Sequence, residues 1–178
     1  MDELSHFVKK STIAANVRNS WLRAGDAELL RQCRQDYYRA SGPGGQHRNK
    51  VETAVRLLHG PSGVSAHAAE SRSQEENRRH ALRRLRERIA FEVRAPFDSQ
   101  TPALPPEFVA QRGSGGTLGV NPKNPNFALF AAVALDALAA AGGSYADGAK
   151  ALGLTTSQLL RFLKSDRELW RAVGENRE

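Results

Sequence analysis

Arg39-Ala-Ser-Gly-Pro-Gly-Gly-Gln-His-Arg-Asn-Lys-Val-Glu-Thr53 is the stretch from which the rest of the chain can be read. Three glycines and a proline precede Gln46, and a polar, basic run follows it. Glycine lets backbone approach another molecule closely, and Pro43 stiffens the path. A segment of this kind offers backbone N–H groups to an oxygen without side chains in the way. It holds no cysteine and no pair of carboxylates, so its chemistry is expected to rest on backbone and amide groups, not on a side-chain nucleophile.

Working outward, Tyr37 and Tyr38 begin a strand on one side, and a second strand runs from about Ala54 to His59 on the other. Gly60-Pro61-Ser62-Gly63 turns the chain back through Val64 to Ala68. Upstream, Asp26 is placed to cap a short helix carrying Leu29, Leu30 and Cys33. Ser73 with Glu76 forms a capping box that opens a long helix to about Arg94. Leu82, Leu85, Ile89 and Val93 mark its apolar stripe, with Arg79, Arg83 and Arg86 on the opposite side. The expected architecture is α+β: a short mixed or antiparallel sheet packed by a long helix.

Residues 96–126 change character, since the prolines and glycines there break regular elements, and they read as a linker. From Phe127 the chain predicts a small all-α domain, whose first helix runs to about Ala140 and stops at Gly142-Gly143. Ser144 with Asp147, Thr155 with Gln158 and Ser165 with Glu168 then predict three short helices. Ala149, Gly153 and Leu159 have helix-turn-helix spacing, with Leu152, Leu154 and Phe162 filling the core and Leu169, Trp170 and Val173 closing it. The resulting domain order is 1–95, a linker over 96–126, and 127–178.

Among 178 residues there is one cysteine, which excludes an internal disulfide, and no Cys/His spacing suggests a metal. Residues 1–20 lack the apolar core of a secretory signal, and Phe127–Ala141, interrupted by Asp136, is too short to span a bilayer. These features predict a cytoplasmic monomer without cofactor, metal or membrane attachment. The net charge is +7. Residues 1–100 hold 18 Lys/Arg against 12 Asp/Glu, so the excess travels with the glycine stretch and favours a polyanionic partner.

Ser41-Gly-Pro-Gly-Gly-Gln-His-x-Asn-Lys-x-Glu-Thr53 resembles the catalytic Gly-Gly-Gln (GGQ) segment of class I peptide chain release factors. The resemblance continues through Ala54-Val55-Arg56-Leu57, Pro61-Ser62-Gly63 and Arg72-Ser73-Gln74-x-x-Asn77, over about residues 36–94. It implies a small GGQ domain that enters the peptidyl transferase centre of the large ribosomal subunit and hydrolyses the peptidyl-tRNA ester. Gly44, Gly45 and Gln46 are the implied catalytic residues. The Gln46 backbone N–H would stabilise the transition state and the leaving 3′ oxygen, and its side chain would admit water and exclude poorer nucleophiles. No general base need come from the protein, because the substrate ribose hydroxyl and rRNA surround the water.

The resemblance further implies 23S-type rRNA or tRNA contacts for Ser41, His47, Arg48, Asn49, Lys50, Arg72, Gln74 and Arg78. Asn49 equally suits a turn cap. Two positions depart from the family: Arg48, where a small apolar residue is common, and Ala69, where glutamine is frequent. Neither a Pro-x-Thr nor a Ser-Pro-Phe tripeptide of the stop-codon-reading kind occurs, and Trp170 to Glu178 is mixed in charge, not a basic tail.

These readings imply codon-independent peptidyl-tRNA hydrolysis on the ribosome, in rescue of stalled ribosomes or accessory termination. The alternative is a nucleic-acid-binding regulator with a vestigial glycine segment. In pattern, the helix-turn-helix spacing of Ala149, Gly153 and Leu159 resembles bacterial regulators of the factor-for-inversion type. Thr156, Gln158, Arg161 and Lys164 would then contact nucleic acid, and the C-terminal domain would take a second nucleic-acid or protein partner.

Overall fold

The computed structural model describes residues 12–38, 53–112 and 120–174. In chain order the elements are α1 (Ala15–Arg23), α2 (Asp26–Arg31), β1 (Cys33–Tyr38), β2 (Ala54–His59), β3 (Ser65–Ala68), α3 (Gln74–Glu92), α4 (Pro106–Gln111), α5 (Phe127–Ala140), α6 (Tyr145–Ala151), α7 (Thr156–Leu163) and α8 (Arg167–Gly174). Contacts divide the described residues into two compact units, 24–89 and 12–23 with 90–174. The sequence reading had drawn its boundaries at 95 and 126.

Unit 24–89 is built on one antiparallel sheet of order β1-β2-β3. Cys33 pairs with His59 at one end and Tyr38 with Ala54 at the other. Cys33 therefore opens the first strand and is not a residue of the preceding helix; its thiol still donates to Leu29 O at 3.2 Å. The strand begins four residues before Tyr37 because polar Arg34, Gln35 and Asp36 sit on an edge strand, where apolar alternation is weak. The cap of α2 is Gly25, with Asp26 inside the first turn. Gly63, at φ +69°, closes the turn between β2 and β3, donating to His59 O at 2.8 Å.

Val55, Leu57, Ala66 and Ala68 from the sheet are buried, as are Ala81, Leu82, Leu85 and Ile89 from α3. Hydrogen bonds hold the helix to the strands: Arg84 Nη1 donates to His67 O at 2.9 Å, and Arg88 to Ser65 O. Arg86 is not on an open basic face, because its guanidinium donates to Ala24 O at 2.7 Å and Asp26 at 3.0 Å. The α3 start is half of the predicted box. Ser73 Oγ accepts from Glu76 N at 3.3 Å, but the Glu76 carboxylate takes the Ser71 hydroxyl.

The second unit centres on α5, nearly all of whose residues are buried. α1 was not foreseen: its inward residues include Arg18 and Asn19, so no apolar period announces it. α4 also corrects the reading of 96–126 as free of regular elements. Pro106 stands at the helix start, where a missing N–H costs nothing, and Phe108 packs edge-on against Phe130 at 5.3 Å. Asp136 accepts from Arg18 Nη1 at 2.5 Å, Arg94 Nη1 at 3.1 Å and Ala95 N at 3.1 Å. Burial pushes its carboxyl above the ordinary value, and the two guanidinium groups pull it back.

α5 stops through Gly142 and Gly143, at φ +58° and +83°. Thr155 and Gln158 form the complete reciprocal box, and Ser144 accepts from Asp147 N at 3.2 Å. The cap of α8, however, is Asp166, whose Oδ1 accepts from Leu169 N at 2.8 Å; Ser165 instead donates to Phe162 O. Leu169 and Val173 close the core, whereas Trp170 is exposed.

Candidate functional site

The paired ends Tyr38 and Ala54 flank residues 39–52 in the chain, so the sheet delivers and receives that segment at adjacent positions. Ser41, Gly44, Gly45, Gln46, His47, Arg48, Asn49 and Lys50 lie outside the described residues. What the structure defines is their mount. Arg56 places its guanidinium 5.4 Å from the Tyr38 ring centroid, a cation–π contact between the last residue of β1 and the third residue of β2.

The firmest part of the mount is Asn77, which is fully buried on the α3 stripe. Its Nδ2 donates to Thr53 O at 2.7 Å and Ser71 O at 2.8 Å, and its Oδ1 accepts from Ser71 N at 2.9 Å. One amide thus ties the residue after the glycine segment to the turn before α3, and to α3 itself. Asn77 stands in the sequence motif with no role evident from the residues alone. The available signal was its spacing of four and eight from Ala81 and Leu85, which sets a polar side chain on an apolar stripe.

Arg72 and Gln74 are exposed around the start of α3, and Arg78, half-buried, pairs with Glu75. Further along, Arg79 and Arg83 are exposed, with Arg83 4.0 Å from Glu87. The helix therefore presents part of its positive charge outward, while Arg84, Arg86 and Arg88 are engaged with backbone carbonyls.

At the far end of the sheet, His59 is buried between Ser62 Oγ, 2.7 Å from Nδ1, and Gln32 Oε1, 3.1 Å from Nε2. Gln32 Oε1 is an acceptor, which suits a proton on Nε2 and leaves Nδ1 to accept from the Ser62 hydroxyl, while Ser62 Oγ also accepts from Val64 N at 3.2 Å. Burial pushes the His59 pKa below its ordinary value. This Ser-His pair locks a turn. Burial also raises the Cys33 thiol to about 11, away from reactive thiolate.

In the second unit, α6 and α7 meet across Gly153, at φ +67°, where Leu154 N donates to Ala149 O at 2.9 Å. Thr156, Arg161 and Lys164 are exposed along α7. Gln158 does not join them, because its side-chain carbonyl accepts from Thr155 N at 2.7 Å. A cavity of about 380 Å³ lies beside α1 and α5, bordered by Arg18, Asn19, Asp98, Thr101 and Asp136. Arg18 is engaged there by Asp136, Asn19 and Val93 O. No helix among the described residues is long and apolar enough to cross a membrane.

Comparison with known proteins finds similarity in the part of the chain that carries the sheet and α3. Residues 30–103 match the RF-1 domain. Peptide chain release factor 2 of Acidovorax sp. (strain JS42) is 50% identical over 68 residues, covering 38% of this chain and 18% of that protein. Peptide chain release factor 2 of Helicobacter pylori (strain Shi470) is 50% identical over 56 residues, 32% of this chain and 15% of the relative. The chain thus spans less than a fifth of the length of these relatives, and residues 30–103 contain all three strands, the whole of α3 and the glycine segment.

Proposed function

Because residues 30–103 make this chain class I release factor-like, we propose that it hydrolyses the peptidyl-tRNA ester on the ribosome without reading a codon. The observation that carries the proposal is the Gly44-Gly45-Gln46 sequence inside the matched region, bounded by strand ends that are paired with each other. In this reading the large ribosomal subunit, with its 23S-type rRNA, and peptidyl-tRNA are the partners, and stalled ribosomes or accessory termination are the setting. Gly44 and Gly45 give the backbone close access to the ester. The Gln46 N–H stabilises the oxyanion and the leaving 3′ oxygen, a contribution of several kcal/mol in preorganised sites, roughly 3–4 for one donor. The Gln46 side chain selects water. Ser41, His47, Arg48, Asn49, Lys50, Arg72, Gln74 and Arg78 are the proposed RNA contacts.

The test is peptide release from ribosomes carrying peptidyl-tRNA, with the A site facing no mRNA, truncated mRNA, a sense codon or a stop codon. Release on empty or truncated complexes without stop-codon preference is expected. It should disappear in Gly45→Ala, whose added methyl blocks close approach. Release confined to the stop codon, or none by the wild-type chain on any complex, would refute the proposal.

A further inference from the structure

The last two helices of the second unit present an aromatic ring among cations. Leu169 and Val173 turn α8 inward, and Trp170, one residue on from Leu169, is 36% exposed. Lys164 Nζ lies 5.1 Å from the Trp170 ring centroid, so the end of α7 and the middle of α8 share one patch. Arg161 precedes Lys164 by one helical turn, and Arg167 precedes Trp170 by one turn, which places each pair on a common helix face. All four are exposed. The acids nearby are engaged: Asp166 caps α8 through Leu169 N, and Glu168 pairs with Arg171 at 2.8 Å. Among the described residues, no carboxylate forms an ion pair with Arg161, Lys164 or Arg167.

A tryptophan held in this way is out of place as core and suited to stacking. Unpaired bases offer a π-face of matching size, and cations at one-turn spacing beside the ring meet the phosphates that connect those bases. A duplex hides its base faces, so the ring would add nothing to duplex binding. We propose that Trp170, with Arg161, Lys164 and Arg167, forms a binding surface for single-stranded RNA. The surface itself goes beyond the release reading; the choice of RNA over DNA rests on that reading, because a chain acting on ribosomes meets unpaired RNA.

The test uses the full chain carrying Trp21→Phe, so that Trp170 alone reports, and a mixed-sequence 12-nucleotide RNA. The same sequence as single-stranded DNA and as duplex RNA supplies the comparison. The RNA is expected to quench Trp170 emission and to bind more tightly than either comparison ligand. Trp170→Ala should weaken binding about tenfold, within the range of one lost base stack, and Trp170→Phe should restore most of it. Because Trp170→Ala also removes partly buried surface, the exposed pair Arg161→Glu/Lys164→Glu provides a second measurement. Removing two phosphate contacts should lower the salt slope of binding by about 1.4. Absence of quenching, unchanged affinity in both variants, or tighter binding of duplex or DNA would overturn the inference. RNA binding with this signature but no peptide release would defeat the release reading alone.

Discussion

Replacing Asp136 by alanine should be among the most destabilising single changes available to the second unit. Asp136 is 3% exposed and holds two guanidinium groups that are themselves almost fully buried, Arg18 at 1% and Arg94 at 6%. Removing one partner of a buried pair costs about 3–5 kcal/mol, because the remaining charge is left uncompensated. Here two cations and the Ala95 N–H lose their acceptor together. Arg18 keeps Val93 O and Asn19 Oδ1, and Arg94 keeps Ala90 O, so the loss is partly cushioned. A value of about 4 kcal/mol follows, a large part of the roughly 5–15 kcal/mol of a typical domain.

Urea unfolding followed by tryptophan fluorescence isolates this unit, because Trp21 and Trp170 are the only two tryptophans and both lie in it. With a slope of about 2 kcal/mol per molar, the midpoint should fall by about 2 M. The triple change Asp136→Leu/Arg18→Met/Arg94→Met removes all three charges together and should recover most of the loss, since an apolar replacement of matched volume is neutral or stabilising. A midpoint shift under about 0.5 M for Asp136→Ala at unchanged slope would refute the account of this cluster.

Gly153→Ala should cost about 2–3 kcal/mol, combining about 1–2 for positive φ with about 1 for displacing Arg112. The new methyl would lie 2.1 Å from Arg112 Nη1, which donates to Leu152 O at 3.0 Å. In an Arg112→Ala background that displacement vanishes, so the two changes should fall short of additivity by about 1 kcal/mol in denaturation; full additivity would rule out the clash. Asn77→Ala leaves Thr53 O, Ser71 O and Ser71 N without their partner and should cost about 3 kcal/mol by chemical denaturation, and a loss below about 1 would show that water replaces the amide. Burial lowers the His59 pKa in the folded chain, so the unfolded state binds more protons below about 6.5. Stability from this group is complete above that pH and declines as pH falls towards the folded pKa; Tm between pH 7 and 5 should therefore drop less in His59→Gln, and parallel slopes would contradict the assignment.

Much of the architecture was legible because its signals are local. β2 and α5 fall at Ala54–His59 and Phe127–Ala140 as read from apolar runs and flanking glycines, and the Thr155–Gln158 box forms in full. The resemblance carried by residues 36–94 was legible in the residues themselves, and the match of residues 30–103 to the RF-1 domain agrees with it. Misreadings arose where a signal had two local solutions. Ser165 and Asp166 are adjacent candidates for one cap, and the structure selects Asp166. Leu169 and Trp170 are neighbours of which one faces the core, and burying Leu169 leaves the larger ring outside beside Lys164.

By itself, then, the sequence determined β2, α5 and the helices that follow it, the helix stop at Gly142-Gly143 and the presence of Gly44-Gly45-Gln46 between two strands, because propensity, capping and period act over a few residues. Only the tertiary structure decided the partners of its polar groups. Asp136 could be seen interrupting an apolar helix, but its guanidinium partners come from 118 and 42 positions away. Asn77 could be seen in a motif, but its clamp on Thr53 spans 24 residues. A buried charge or amide must find a complement somewhere, and desolvation makes that demand without naming the partner; chain folding supplies it.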